Sequence, residues 1–190
     1  MDMNKRKHIL DTAMVMFNEH GFHNTPTSKI AKKSRVSVGT LFNYFPSKED
    51  LIHGIYEDIK LHSKQTFLEL IKEWNTNHDN LKSMWSAVIG WGVQNPQEFE
   101  YLELFMHSTF KNTHMDDQAM GYYTKFRESI LKSISPNTIC IKYPEFSMIY
   151  IDNALHAATR FILDNNVQDV ETFIFSSFEL LWKGFSYKYE

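Results

Sequence analysis

Apolar residues recur along this chain at three- and four-residue intervals, the spacing of one face of an α-helix. Ile9, Ala13, Met16 and Phe17, with Leu10 on the flank, form the first such stripe, from about Asn4 to His20. Gly21 follows as a left-handed cap, with Phe22 folding back onto the helix. Thr25 and Pro26 open a short second helix, Thr25 as N-cap and Pro26 at the first position, where a missing N–H costs nothing. Ile30 and Ala31 are its buried face. The chain breaks at Arg35–Val36, and Ser37 caps a third helix of about two turns, Val38 to Phe45. Leu41, Phe42 and Phe45 make one apolar edge of that helix, and Thr40, Asn43 and Tyr44 fall on the other side.

Ser47 then caps a long fourth helix, with Asp50 at the capping-box position. Its apolar positions, Leu51, Ile52, Ile55, Tyr56, Ile59, Phe67, Leu70 and Ile71, carry it to about Trp74. Five further helices are expected, at about 80–94, 96–110, 116–133, 145–165 and 169–187. Asn95–Pro96 marks the start of the sixth, and 135–144 reads as the longest loop. The pattern is all-α, about nine helices, without repeats or glycine-rich linkers.

Residues 25–48, TPTSKIAKKSRVSVGTLFNYFPSK, are the most informative stretch. The second of its two short helices is too polar and too glycine-bearing to be core. A two-turn helix with one buried and one polar edge is what enters a DNA major groove in a helix-turn-helix. The run I-A-x-x-x-x-V-S-x-G-x-L-F-x-Y-F-x-x-K-E-x-L, Ile30 to Leu51, resembles the signature of the tetracycline-repressor (TetR) family of bacterial regulators. The resemblance implies an all-helical homodimer, with a helix-turn-helix DNA-binding domain at 1–47 and a ligand-binding and dimerisation domain at 48–190. It further implies a regulator, in most cases a repressor, released from a palindromic operator by a small inducer acting through the fourth helix.

Composition agrees with that picture. Phe, Tyr and Trp number 15, 9 and 4, while Gly and Pro are scarce at 7 and 5, which suits a helical chain. One cysteine, Cys140, excludes an intrachain disulfide framework and fits a reducing cytoplasm. No signal-peptide pattern opens the chain, and no stretch approaches the ~20 apolar residues that span a bilayer. Charge is uneven: residues 1–50 carry 8 basic and 5 acidic groups, net +3, and the remainder 12 and 18, net −6. A basic start on an acidic body places phosphate attraction at one end.

The family's contacting positions, carried over residue by residue, fall on Thr27 and Ser28 of the second helix, Ser37, Val38, Gly39, Thr40, Asn43 and Tyr44 of the third, and Lys48 opening the fourth. Gly39 allows close approach to DNA. Thr40 suits a thymine methyl, Asn43 a base edge, and Tyr44 and Lys48 phosphate. Three departures stand out: Ser34-Arg35 where the family commonly has Ala-Gly, Asn43 for a common His, and Phe42 for a frequent Tyr. Arg35 is thereby pushed toward a left-handed conformation that glycine takes freely.

Candidate ligand-lining residues are Trp85, Trp91, Phe105, Met106, His107, Phe110, Tyr123 and His156, aromatic and Met walls with a few polar groups. The body lacks a basic cluster, so an apolar or amphipathic inducer is expected. The eighth and ninth helices exceed what one core stripe requires: Met148, Ile149, Ile151, Leu155, Ala158, Phe161 and Ile162, then Phe173, Ile174, Phe178, Leu181, Trp182 and Phe185. They are expected to form a four-helix dimer interface, with Ala154, Ala157 and Ala158 permitting close approach; burial of both within one chain is the alternative. No nucleophile elbow, Walker loop, H-E-x-x-H pair or dinucleotide fingerprint occurs, so neither an enzyme nor a bound metal or cofactor is expected. Competing readings are a helical interaction scaffold and an apolar-ligand carrier.

Overall fold

The computed structural model describes residues 2–72, 78–112 and 143–186. Among the described residues there are eight α-helices, one 3-10 turn and no strand: α1 (Met3–His20), α2 (Thr27–Lys33), α3 (Val38–Tyr44), α4 (Lys48–Lys72), α5 (His78–Gln94), α6 (Pro96–Met106), the turn Thr109–Asn112, α7 (Pro144–Asp164) and α8 (Val170–Ser186). α7 and α8 are the eighth and ninth helices expected from the sequence. The helix expected at 116–133, Tyr123 and Cys140 lie outside the described residues, as do the side chains of Phe67, Leu70, Ile71 and Phe185. No described helix is long and apolar enough to cross a membrane.

The chain forms two compact units, residues 1–62 with 95–116, and residues 63–94 with 117–190. The first is built on α1. Asp2 caps this helix by accepting from the N–H groups of Asn4 and Lys5. Its stripe, Ile9, Leu10, Ala13, Met16 and Phe17, is buried as expected. Gly21 ends it at φ 75° and ψ 164°, a positive φ but an extended ψ rather than the left-handed helical cap the sequence suggested. The chain does turn back there: Phe22 is buried and meets Phe17 edge-on, centroids 5.1 Å apart.

α6 packs against α1, and its Tyr101 and Phe105 are fully buried. Tyr101 Oη donates to the Ile52 carbonyl of α4 at 2.8 Å, and burial pushes the phenol well above its ordinary pKa. Phe105 stacks on Tyr56 at 4.4 Å. Lys7 ties α1 to α4 by a salt bridge to Asp58 (2.8 Å) and also pairs with Asp11 one turn along α1 (2.7 Å).

The second unit is a separate core. α5 supplies Leu81, Met84, Trp85 and Ile89; α7 supplies Met148, Ile151, Leu155, Ala158 and Ile162; α8 supplies Ile174 and Phe178. Trp85 meets the demand of its indole N–H by donating to Ser177 Oγ at 3.0 Å.

Candidate nucleic-acid interface

The helix-turn-helix is set by short-range chemistry that the sequence only partly reveals. Thr25 is not the cap of α2. Its side chain is completely buried and donates instead to the carbonyls of Gly21 (2.8 Å) and Met16 (3.2 Å), tying off the end of α1. Pro26 takes the N-cap place, with no side-chain cap. A carbonyl left over at one helix end thus outcompetes the start of the next helix for the same hydroxyl.

α2 ends in a Schellman motif, Val36 N–H donating to Ala31 O at 3.0 Å and Arg35 N–H to Lys32 O at 3.1 Å. That motif needs a left-handed residue between them, and Arg35 is held at φ 55°, the one non-glycine positive φ among the described residues. Beside it, the hydroxyl of buried Ser34 has no hydrogen-bond partner among the described residues. Both features are costs of the Ser-Arg pair: about 1–2 kcal/mol for the left-handed Arg and a similar amount for the stranded hydroxyl. The double variant Ser34→Ala/Arg35→Gly is expected to be more stable by about 1–2 kcal/mol after the greater chain entropy of glycine is counted. Thermal melting checks this, and a lowered midpoint would contradict the account.

α3 begins as expected. Ser37 Oγ accepts from Thr40 N–H at 3.0 Å and lies 2.8 Å from Thr40 Oγ1. Leu41 and Phe45 are buried and anchor the helix, but Phe42, expected on the same edge, is 39% exposed. At 100° per residue Phe42 lies well round from Leu41, so only a residue three or four positions away shares its face.

The exposed surface of α3 consequently has three parallel ridges at i, i+4 spacing. Gly39 and Asn43 run down the middle, opposite Leu41. Thr40 and Tyr44 flank them on one side, and Val38 (43% exposed) and Phe42 on the other. A methyl group added at Gly39 would meet nothing but Ser37 Oγ at 3.9 Å, so the fold itself does not require glycine there.

Tyr44 is less free than the sequence suggests: its Oη accepts from Asp2 N–H at 3.2 Å and donates to Asp2 O at 3.4 Å. Lys48 opens α4 with its ammonium 6.0 Å from the centre of the Phe17 ring, and burial lowers its pKa. Thr27 is half-buried and Ser28 exposed in the first turn of α2, whose Lys29, Lys32 and Lys33 are exposed. The basic excess of residues 1–50 therefore reaches the surface on the same unit as the α3 ridges.

One positioning residue was missed. Gly54, in the second turn of α4, lies directly under Phe45: a Cβ there would stand 2.9 Å from Phe45 Cε1 and 3.4 Å from Leu10 Cδ2. The sequence offered only a weak signal, a glycine that costs about 1 kcal/mol relative to alanine inside a helical pattern. Gly90 and Gly184, also in helices, have no such close neighbour.

The candidate ligand residues divide. Phe105, Met106, His107 and Phe110 belong to the first unit. There Phe105 is core, Met106 and His107 are exposed at the end of α6, and Phe110 meets the Phe22 ring at 5.4 Å. Trp85, Trp91 and His156 belong to the second unit, with Trp85 and Trp91 buried and His156 half-buried.

The expected dimer residues divide by helical phase. Met148, Ile151, Leu155, Ala158, Ile162, Ile174 and Phe178 face the chain's own core. Ile149 and Phe161 do not; with Phe146, Tyr150, Asn153 and Ala157 they form a continuous exposed stripe along the opposite side of α7. Phe146 and Tyr150 were missed because the sequence shows apolar character on both faces without showing which face the core takes.

The family model for bacterial regulatory proteins of the tetR family matches residues 9–55, the segment that builds α1 to α3 and the start of α4. A solved structure described as a tetR family transcription regulator from Shewanella sp. PV-4 is 26% identical, covers 94% of this chain and 96% of that one, and superposes with a TM-score of 0.76. Residues 9–55 thus carry the tetR-family pattern, and the chain shares its fold with a solved tetR-family regulator. Such proteins are helix-turn-helix transcription regulators. The "Fatty acid metabolism regulator protein" of Bacillus subtilis (strain 168) is 34% identical over 77 residues, a match spanning 40% of each chain, so this chain matches well under two thirds of that relative. The structure of the transcriptional regulator FadR from Bacillus subtilis in complex with stearoyl-CoA matches in fold, with a TM-score of 0.64 at 20% identity over 94% of this chain and 98% of that one.

Proposed function

We propose that this chain is a tetR-family regulator, a dimeric repressor that leaves a palindromic operator when an amphipathic acyl compound binds its body. Residues 1–47 serve as the DNA-binding domain and 48–190 as the ligand-binding and dimerisation domain. The observation that carries the reading is the exposed face of α3. Gly39 and Asn43 sit at its centre with Thr40 beside them, an arrangement suited to reading bases in a major groove. Thr27, Ser28, Ser37, the backbone N–H of Val38, Tyr44 and Lys48 surround this centre as backbone and phosphate contacts. Tyr44 reaches phosphate by exchanging its Asp2 partners for the DNA.

The exposed stripe on α7, Phe146, Ile149, Tyr150, Ala157 and Phe161, supports self-association, because it is apolar and lies opposite the face already committed to the core. A twofold dimer would place each α3 in successive major grooves.

The acyl assignment draws on the two relatives whose names concern fatty acid metabolism or a bound stearoyl-CoA. It agrees with an aromatic body that includes Trp85, Trp91 and His156. Ligand binding would shift the population of α4 orientations away from the DNA-competent one.

Selection of binding sites from random DNA by the intact protein is the test. The expected product is a palindrome, with release in a gel shift by long-chain acyl-CoA at concentrations where free CoA has no effect. Gly39→Ala is expected to raise the melting temperature, since alanine is the better helix former by about 1 kcal/mol, while weakening the selected complex by at least about 10-fold through the added bulk. Failure to enrich any sequence at low salt would refute the DNA reading. Enrichment without acyl-dependent release would refute only the ligand.

A further inference from the structure

Among the described residues, the first unit has five exposed large hydrophobics, Met3, Val38, Phe42, Leu61 and Met106, and two of them lie on the seven residues of α3. They stand one turn apart and form a ridge directly beside Gly39 and Asn43. Leu41 and Phe45 already anchor the helix, so the fold leaves this pair out of its core. Given the proposed role of α3, on which this inference rests, the ridge faces base edges. A major groove presents one apolar group, the C5 methyl of thymine, and every other feature there is a hydrogen-bond donor or acceptor. Neither side chain can form a hydrogen bond, so an amide or carbonyl edge opposite them would lose its water without replacement.

We infer that Val38 and Phe42 form a methyl-reading ridge that selects thymine within the operator half-site, next to an adenine read by Asn43. Phe42 supplies most of the contact, because its ring is the larger and lies further along the helix beside Asn43. The amide of Asn43 matches the N6 and N7 edge of adenine with two hydrogen bonds. The two contacts together predict adjacent A·T pairs of defined orientation under each α3.

The experiment uses the full chain and the operator selected from random DNA. Each thymine of one half-site is replaced in turn by deoxyuridine, which removes the methyl and alters no hydrogen bond. The unmodified protein is expected to lose about fourfold in affinity at one or two positions, the worth of one buried methyl group, and nothing elsewhere. The Val38→Ser/Phe42→Ser variant changes exposed positions only, and its fold is checked by thermal melting and helical circular dichroism. It should bind the thymine and deoxyuridine operators equally, whereas Asn43→Ala should keep the methyl preference while losing its preference for adenine. Equal binding of both operators by the unmodified protein would overturn the inference and leave the operator reading standing. A methyl preference that survives in the folded double-serine variant would overturn it as well. If no sequence is enriched at all, the proposed function fails and this inference fails with it.

Discussion

Ile149→Glu is expected to convert the proposed dimer into a monomer and to lower operator affinity by at least about 100-fold, because two linked heads lose their shared effective concentration. Ile149 is 58% exposed on the protomer, flanked by Phe146 and Tyr150, whose rings stack at 6.3 Å. A carboxylate at that place stays in water in the isolated chain. In a twofold interface the same residue appears twice, so two charges are desolvated against apolar surface at once. The protomer should therefore keep its helix content and its core of Trp85, Leu155 and Phe178. Sedimentation and gel shift read the two effects separately. A dimer that persists in the Ile149→Glu variant would remove α7 from the interface. A monomer that still binds the palindrome with full affinity would remove dimerisation from the mechanism.

Gly54→Val is expected to destabilise the first unit by about 2–3 kcal/mol, the usual scale of overpacking a filled core, and to weaken operator binding beyond what that loss explains. The added Cβ would lie 2.9 Å from a ring carbon of Phe45, and Phe45 is itself buried and cannot swing clear. Because Phe45 closes α3, any shift of its ring moves the whole of α3, the proposed reading helix. Gly54→Ala should show the same sign at smaller size, since the helix preference of alanine offsets part of the clash. The check is urea unfolding together with a gel shift under conditions where the variant is fully folded. Unchanged affinity in the folded variant would show that α3 is positioned by Leu41 alone.

These two residues mark different kinds of information in the chain. The core stripe of α1, the Ser37 cap and the Ser47 cap of α4 were legible from sequence, because each depends on neighbours within one or two turns. Asp50, expected to complete a capping box, meets the Ser47 hydroxyl instead of its N–H. Ser47 Oγ accepts from Asp50 N–H at 3.0 Å and donates to Asp50 Oδ2 at 2.7 Å. The positive φ of Arg35 was legible only through the family resemblance, which commonly has glycine at that place; the Schellman ending that requires it is a finding of the structure. Phe42 was misplaced because neighbouring apolar residues on a short helix can be divided between faces in more than one way. Thr25 was misread because the acceptors it meets, Met16 and Gly21, belong to the end of the helix before it.

By itself, then, the order of residues determined the described helices, the Ser37 and Ser47 caps, and the turn between α2 and α3. All of these are governed by contacts within a few positions along the backbone. Only the tertiary structure decided that Gly54 underlies Phe45, that Tyr101 hydrogen-bonds α4, and that α7 turns Leu155 inward and Ile149 outward. Burial is a property of what packs against a face, and a helix that is apolar on two sides leaves that choice to its neighbours.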